Sequence, residues 1–134
     1  MTYEDVFDRF PTEKSAIDHY LSVEYPGGVI CSRCCSKKVF QETKRWKVFY
    51  CNDCRSTFSP FSGTIFEKSS TDFRKWMYCI HLCCDKKADE VTALTLHADI
   101  SVTYKTAWRM LHRIRYNISE LNRLRRRFFR NTIM

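Results

Sequence analysis

The sequence is poor in glycine and proline and has no long apolar run. Three glycines and three prolines among 134 residues exclude a collagen-like or low-complexity chain. No apolar run approaches the roughly 18 residues of a membrane span. The acidic start at residues 1–5 is followed by no apolar segment of the signal-peptide kind. We therefore expect a soluble intracellular protein with no membrane partner, in the cytoplasm or nucleoid of a bacterium or the nucleus of a eukaryote.

What the sequence does contain is apolar residues for packed cores and an uneven positive charge. Apolar residues make up 44% of the chain and aromatic residues 15%. Residues 104–134 carry nine basic residues against one acid, Glu120, and residues 29–68 carry eight against three. An excess of this kind predicts a polyanionic partner, with nucleic acid first. A basic solvated surface without a partner is the alternative.

Four of the eight cysteines form two CxxC pairs, Cys31 with Cys34 and Cys51 with Cys54, separated by sixteen residues. Structural disulfides do not persist in the reducing compartment expected here. Each CxxC folds as a tight knuckle, and a β-hairpin between the knuckles brings the four thiolates together. The spacing predicts one structural Zn²⁺. Because thiolates fill all four positions, this ion has no open site for catalysis.

The other cysteines are Cys35, Cys79, Cys83 and Cys84. Cys35 directly follows a predicted ligand and is interpreted as a bystander, although it offers an alternative to Cys34. The other three share a helical pattern with large apolar residues, which favours packing in a core over a second metal site with His81.

Helical periodicity dominates the sequence after residue 72. Apolar stripes predict helices over 72–84 and 90–98, with a break at 86–89, and a last helix capped by Thr103. Its apolar residues are Ala107, Leu111, Ile114, Ile118 and Leu121. Three helices with a tight turn before the last predict a helix-turn-helix. The N-terminal segment is predicted to be short and helical, starting with a capping box at Thr2.

These elements predict a small α+β protein. A zinc ribbon, with its hairpin strands at 39–41 and 46–50, is followed by the three-helix module. The predicted domains are an N-terminal helical segment (1–28), the zinc ribbon (29–66), the helix-turn-helix (67–117) and a basic C-terminal extension (118–134).

The polar face of the last helix is the predicted DNA-binding surface. Its residues are Tyr104, Lys105, Thr106, Arg109, His112, Arg113 and Tyr116. The first three stand at the start of the helix, where side chains reach base edges in the major groove. Arg109 and Arg113 are better placed for phosphates. An ordinary basic amphipathic helix bound to another protein is the alternative.

Further cations are candidates for contacts with the DNA backbone. They are Lys44, Arg45 and Lys47 in the ribbon and Arg125, Arg126 and Arg127 near the C-terminus. The basic terminal stretch allows several interpretations: a helical extension along phosphates, the start of a linker, a disordered tail, or a segment that binds a membrane surface or a partner.

Four stretches of the chain resemble the N-terminal region of insertion-sequence transposases related to eukaryotic Merlin elements. They are residues 10–13, the two CxxC pairs, residues 63–67 with 74–76, and residues 104–115. The resemblance implies binding of double-stranded DNA at the element's terminal inverted repeats. In this family an RNase H-like domain with metal-binding carboxylates follows. Residues 118–134 hold one acid only, so we expect that domain to be absent and the chain to lack catalytic activity and a small-molecule substrate.

The chain also departs from the family pattern. Cys35 and Arg55 stand where glycine commonly follows each knuckle, and Ser101 stands where glycine is usual before the recognition helix. A non-glycine residue after a knuckle is expected to adopt a left-handed conformation at some cost. Rival interpretations are a protein-interaction or homodimerisation module formed by the last helix, and a truncated transposase-derived transcriptional regulator. An RNA-binding ribbon is disfavoured because the aromatic residues resemble core rather than an exposed stacking platform.

Overall fold

A computed structural model describes residues 2–85 and 91–129. The chain divides into two compact units, which we call the helical unit (Met1–Glu13 with Thr71–Met134) and the ribbon unit (Lys14–Ser70). In chain order the elements are α1 (Tyr3–Arg9), α2 (Glu13–Glu24), β1 (Val39–Gln41), β2 (Phe49–Cys51), β3 (Thr57–Phe58), α3 (Phe73–Asp85), α4 (Ala93–Ile100), α5 (Tyr104–Tyr116) and α6 (Ile118–Phe128). The predicted α+β class is confirmed.

The core of the helical unit forms around α3. Its buried stripe includes Phe73, Trp76, Met77 and Ile80, each at most 1% exposed, as the periodicity predicts. Helices α1, α5 and α6 all pack against α3, and α4 packs against α5. Helix α1 begins with the predicted capping box, in which Thr2 and Asp5 exchange side chain to backbone hydrogen bonds. The predicted break at 86–89 lies outside the described residues.

The C-terminal region forms two helices rather than the single predicted one. The break is at Asn117, whose side-chain amide donates to the carbonyl of Arg113 at 2.9 Å. In a continuous helix the backbone N–H of Asn117 would donate to this carbonyl, but here it donates to that of Ile114. The side-chain bond therefore competes with helix continuation. Helix α6 buries Leu121, Leu124 and Phe128 in the unit's own core. Of the interpretations of the terminal stretch, a helical extension is therefore observed through Phe128. The predicted apolar row on the last helix is mostly buried within this unit.

Helices α4 and α5 are joined by a turn of three residues, Ser101 to Thr103. Ser101 ends α4 in the left-handed region, with φ 56° and ψ 49°, a conformation in which glycine is usual. Thr103 caps α5 by accepting the backbone N–H of Thr106, which confirms the predicted cap. The observed geometry is two helices joined by a short turn.

The left-handed Ser101 gives a stability prediction. A non-glycine residue in this region costs about 1–2 kcal/mol, a strain that glycine avoids although it also gains freedom in the unfolded chain. We expect Ser101→Gly to raise the free energy of unfolding by about 1 kcal/mol, measured as an increased urea midpoint at constant slope. Ser101→Ala keeps the Cβ atom and should bring no gain. Equal behaviour of the two variants would contradict the strain.

The ribbon unit contains α2 and a three-stranded antiparallel sheet in the order β1-β2-β3. Residues Val39, Phe40 and Gln41 pair with Cys51, Tyr50 and Phe49. The short β3 was not predicted, because two residues carry no periodic signal; it pairs with β2 through Thr57 and Phe58. An aromatic cluster of Tyr20, Phe61 and Phe66 packs in this unit, with ring centroids 5.2–5.9 Å apart.

The helices of residues 2–85 and 91–129 are all too short or too polar to cross a membrane.

Candidate metal centre and nucleic-acid interface

The four cysteines of the CxxC pairs meet in the ribbon unit. The Sγ atoms of Cys31 and Cys54 are 3.6 Å apart, and those of Cys34 and Cys51 are 3.5 Å apart. All four sulfur atoms lie within 4.8 Å of one another. Within the part of the chain that the structure describes, this is the one group of three or more side chains that could hold a metal ion.

The two knuckles share one backbone pattern. The N–H of Cys31 donates to the carbonyl of Ser36, and the N–H of Cys51 donates to that of Ser56, each at 2.9 Å. The residue after each second cysteine lies in the left-handed region, with φ 60° at Cys35 and 57° at Arg55. These are the two knuckle positions at which the chain departs from the expected glycine. Both knuckles close with a non-glycine residue in this conformation.

Hydrogen-bond donors favour the thiolate at two of the four cysteines, Cys31 and Cys54. The backbone N–H of Ser36 lowers the pKa of Cys34, but the hydrogen bond with the Cys51 thiol and desolvation together outweigh it, so that this pKa is raised. Backbone N–H groups of Cys34 and Arg33 lower the pKa of Cys31, the Arg33 N–H lying 3.4 Å from its Sγ. The pKa of Cys54 is lowered to about 6, first by the hydroxyl of Ser56, which lies 2.9 Å from its Sγ, and then by the backbone N–H of the same residue. Donation to sulfur stabilises the charged form. The thiolate is the form that binds metal.

The sulfur positions fit a tetrahedral zinc ion. With Zn–S bonds of about 2.3 Å, tetrahedral geometry places sulfur atoms about 3.8 Å apart, close to the two distances observed. A disulfide requires about 2.05 Å, so the four residues are free thiols. Four cysteines at this separation are compatible with a zinc site.

The remaining cysteines lie outside this cluster. Cys35 is exposed, although it is next to Cys34 in sequence. Cys79 and Cys83 are buried in the helical unit, as core packing predicts, and burial raises the pKa of both thiols. Cys84 is half-buried.

The predicted DNA-binding residues of α5 differ in exposure. Tyr104, Lys105, Arg109 and Tyr116 are exposed, while Thr106, His112 and Arg113 are half-buried. Thr106 belongs to the helix cap, where its hydroxyl accepts a hydrogen bond from Thr103 at 2.9 Å. The exposed face at the start of α5 therefore consists chiefly of Tyr104, Lys105 and Arg109.

Trp108 belongs to the same face and was not predicted from the sequence. Its side chain is 51% exposed, and its ring centroid lies 3.9 Å from that of His112. A signal was present, because Trp108 stands four residues after Tyr104 on the polar side of the helix. Apolar periodicity alone assigns a tryptophan to the core, and this one lies outside it.

The predicted backbone cations are not equally available to a ligand. Arg45 forms a bidentate ion pair with Glu42, at 2.7 and 3.0 Å. The Nζ of Lys47 donates to the Ser69 carbonyl at 3.3 Å. Four cations of the set, Lys44, Arg45, Arg126 and Arg127, are exposed, whereas Lys47 and Arg125 are half-buried.

Comparison with known proteins connects the chain with a transposable element. It is 28% identical over 106 residues to a Halobacterium salinarum protein described as an uncharacterized protein in transposable element ISH50. The aligned stretch covers 78% of this chain and 35% of that relative, so the chain spans much less than the relative's full length. No protein-family model matches the chain. No solved structure matches it either. The chain is thus similar to an insertion-sequence protein, and the resemblance to Merlin-related transposases stays a prediction.

Proposed function

We propose that this chain is a DNA-binding region of an insertion-sequence protein, in which α5 binds the major groove and the ribbon unit folds around one structural Zn²⁺. The observation that carries the proposal is the exposed face at the start of α5. It presents Tyr104, Lys105 and Arg109 directly after a short turn between two helices. Residues at this position reach base edges when such a helix enters the groove.

Charge supports a nucleic acid as the ligand. Helix α5 contains no acidic residue and four basic ones, Lys105, Arg109, Arg113 and Arg115. Helix α6 adds four arginines against Glu120. An excess of basic over acidic residues in these two helices favours a polyanionic ligand and steers its approach.

The residues of α5 take different roles in this proposal. Tyr104 and Lys105, which are exposed in the first turn, read bases. Arg109 and Arg113 lie one and two turns later and contact phosphates, which fix the position of the helix on the duplex. The hydroxyl oxygen of Thr106 accepts the hydrogen bond from Thr103, and its hydroxyl hydrogen donates to the DNA. His112 and Tyr116 extend the surface toward the C-terminal end of the helix.

In this proposal Cys31, Cys34, Cys51 and Cys54 bind the zinc ion. Their donor set and sulfur separations fit the ion. With four thiolates in place, the ion's contribution is to join the two knuckles and so to stabilise the ribbon fold.

Similarity to a transposable-element protein supports the choice of target. Proteins of such elements act on the element's own DNA, and we propose the terminal inverted repeats as the site. The relative at 28% identity and the predicted resemblance both support this target.

The test is a fluorescence-anisotropy titration of the zinc-loaded chain with two duplexes at two salt concentrations. One duplex carries the inverted repeat that flanks the gene, and the other carries the same bases in scrambled order. We expect tighter binding of the repeat, with a preference that persists at the higher salt. Equal and steeply salt-dependent binding of both duplexes indicates phosphate contacts alone and would contradict specific recognition. Absence of binding to either duplex would overturn the DNA-binding proposal itself.

A further inference from the structure

The ribbon sheet carries two large aromatic side chains on its solvent face. Phe40 in β1 is 60% exposed and Tyr50 in β2 is 39% exposed. They are direct partners in the register of the two strands. Side chains directly opposite in an antiparallel pair lie about 4.5–5.5 Å apart on the same face. The aromatic residues are expected from the sequence to be core, and for these two that expectation is wrong.

The two faces of the sheet differ sharply. Phe49 and Cys51, which flank Tyr50, are buried, and Phe49 packs against Phe58 with ring centroids 5.9 Å apart. On the opposite face Tyr50 pairs with Thr57 of β3, which is also exposed. The inner face thus supplies the core, while the outer face presents Phe40, Tyr50 and Thr57 as one row. Two exposed rings add nothing to that core.

The charge around this row favours a polyanion as its ligand. Residues 31–58 contain seven basic residues and two acidic ones, a balance of +5 that four thiolates with Zn²⁺ reduce to +3. Both acids are engaged, Glu42 with Arg45 and Asp53 with the Ser36 hydroxyl. The three strands themselves contain no acidic residue. An acidic partner that offers flat apolar surfaces satisfies both the charge and the rings.

We propose that Phe40 and Tyr50 form a stacking site for unpaired bases of single-stranded DNA. Aromatic side chains stack on bases whose faces are open, and cations beside them bind the phosphates. Bases inside a duplex are covered on both faces, so this site takes a different form of DNA from the one proposed for α5. The exposed cations Lys37 and Lys38, which precede β1, lie on the chain next to the row.

The test measures the affinity of the native zinc-loaded chain and of the Phe40→Ala/Tyr50→Ala variant for a labelled oligothymidine. We expect the double variant to lose roughly five- to 150-fold in affinity for each base that no longer stacks. Its affinity for the duplex should be unchanged. The conservative pair Phe40→Tyr/Tyr50→Phe should retain single-strand binding. Leu94→Ala, which also removes an exposed apolar side chain, is the matched control.

Two further measurements separate base stacking from phosphate binding and from contact between two copies of the chain. An oligomer of abasic sites keeps the phosphates without the bases, so native protein should bind it as weakly as the double variant binds oligothymidine. Equal binding of abasic and thymidine oligomers, or stronger binding of oligouridine, would overturn the proposal. The proposal would also be overturned if sedimentation showed that the native protein is a dimer and the double variant a monomer, because the aromatic row would then be a contact between two copies of the chain. Zinc content and circular dichroism verify folding of each variant, and the duplex titration reports separately on the function proposed for α5.

Discussion

Replacing Cys34 by serine should abolish zinc binding and unfold the ribbon. Removing one of four thiolates leaves an incomplete tetrahedral site, and in small zinc domains the free energy of metal binding is the free energy of folding. Apparent values for structural zinc are about 10–16 kcal/mol at neutral pH, far above what a two- to three-residue strand pairing supplies. We expect zinc content to fall from one ion per chain to none. Hydrogen exchange should show loss of protection for the amides of Cys51 and Asn52, which bond within the ribbon.

The neighbouring thiol supplies the control. Cys35 is exposed like Cys34, but it lies outside the cluster. Cys35→Ser should therefore retain one zinc ion and a protected ribbon, whereas addition of a strong chelator to native protein should reproduce the Cys34→Ser result. Amides of α3 should stay protected in all samples, because that helix packs in the helical unit. Full ribbon protection after complete metal removal would contradict a structural zinc.

Loss of Lys105 and Arg109 together should have the largest effect on duplex binding. Both side chains are exposed in the first half of α5, and a good base contact is worth about 1–3 kcal/mol, with less for a phosphate contact. We expect Lys105→Ala/Arg109→Ala to weaken binding of the inverted-repeat duplex by about 2–4 kcal/mol. The salt dependence of the remaining binding should also become shallower, since fewer counterions are released.

A charge-matched variant distinguishes a defined interface from general attraction. Arg9→Ala/Lys14→Ala also removes two positive charges, and both residues lie outside the predicted surface. Lys14 forms an ion pair with Asp18 at 2.7 Å. This double variant should lower affinity only slightly. If both double variants weaken binding equally, net charge accounts for the effect and α5 is not the interface. Trp108→Ala is an informative third variant, because its exposed ring lies between the two cations in sequence.

Features fixed by neighbours along the chain were predictable from the sequence. The knuckle cysteines, the left-handed residues that follow them, and the caps at Thr2 and Thr103 depend on a few adjacent residues, and the structure has them as expected. The break at Asn117 was missed because the apolar period continues on both sides of it. Apolar periodicity carries no information about a side-chain bond to the preceding turn.

Exposure of aromatic residues was the other point that the sequence did not disclose. The exposed residues Phe40, Tyr50 and Trp108 are of the same aromatic class as the buried Phe49 and Trp76, so residue type alone does not distinguish them. Which of them is covered depends on strand register and on which helices pack together, and both are tertiary properties. The clustering of the four cysteines was therefore predictable, because metal chemistry requires a particular spacing, whereas the exposure of surface residues was not.

Helix α1 and its partner α3 belong to one unit but are separated by the whole ribbon. Tyr3 and Tyr78 are in edge-on contact at 5.2 Å, and Arg74 donates to the carbonyls of Phe10 and Pro11. At a synthesis rate of about 5–20 residues per second, α3 is completed several seconds after α1. An unfolded ribbon leaves a long flexible loop to close, whereas a metal-bound ribbon shortens the segment that must be ordered at that moment. Zinc supply should thus raise the rate at which the helical unit forms, although the four clustered cysteines all lie in the ribbon unit.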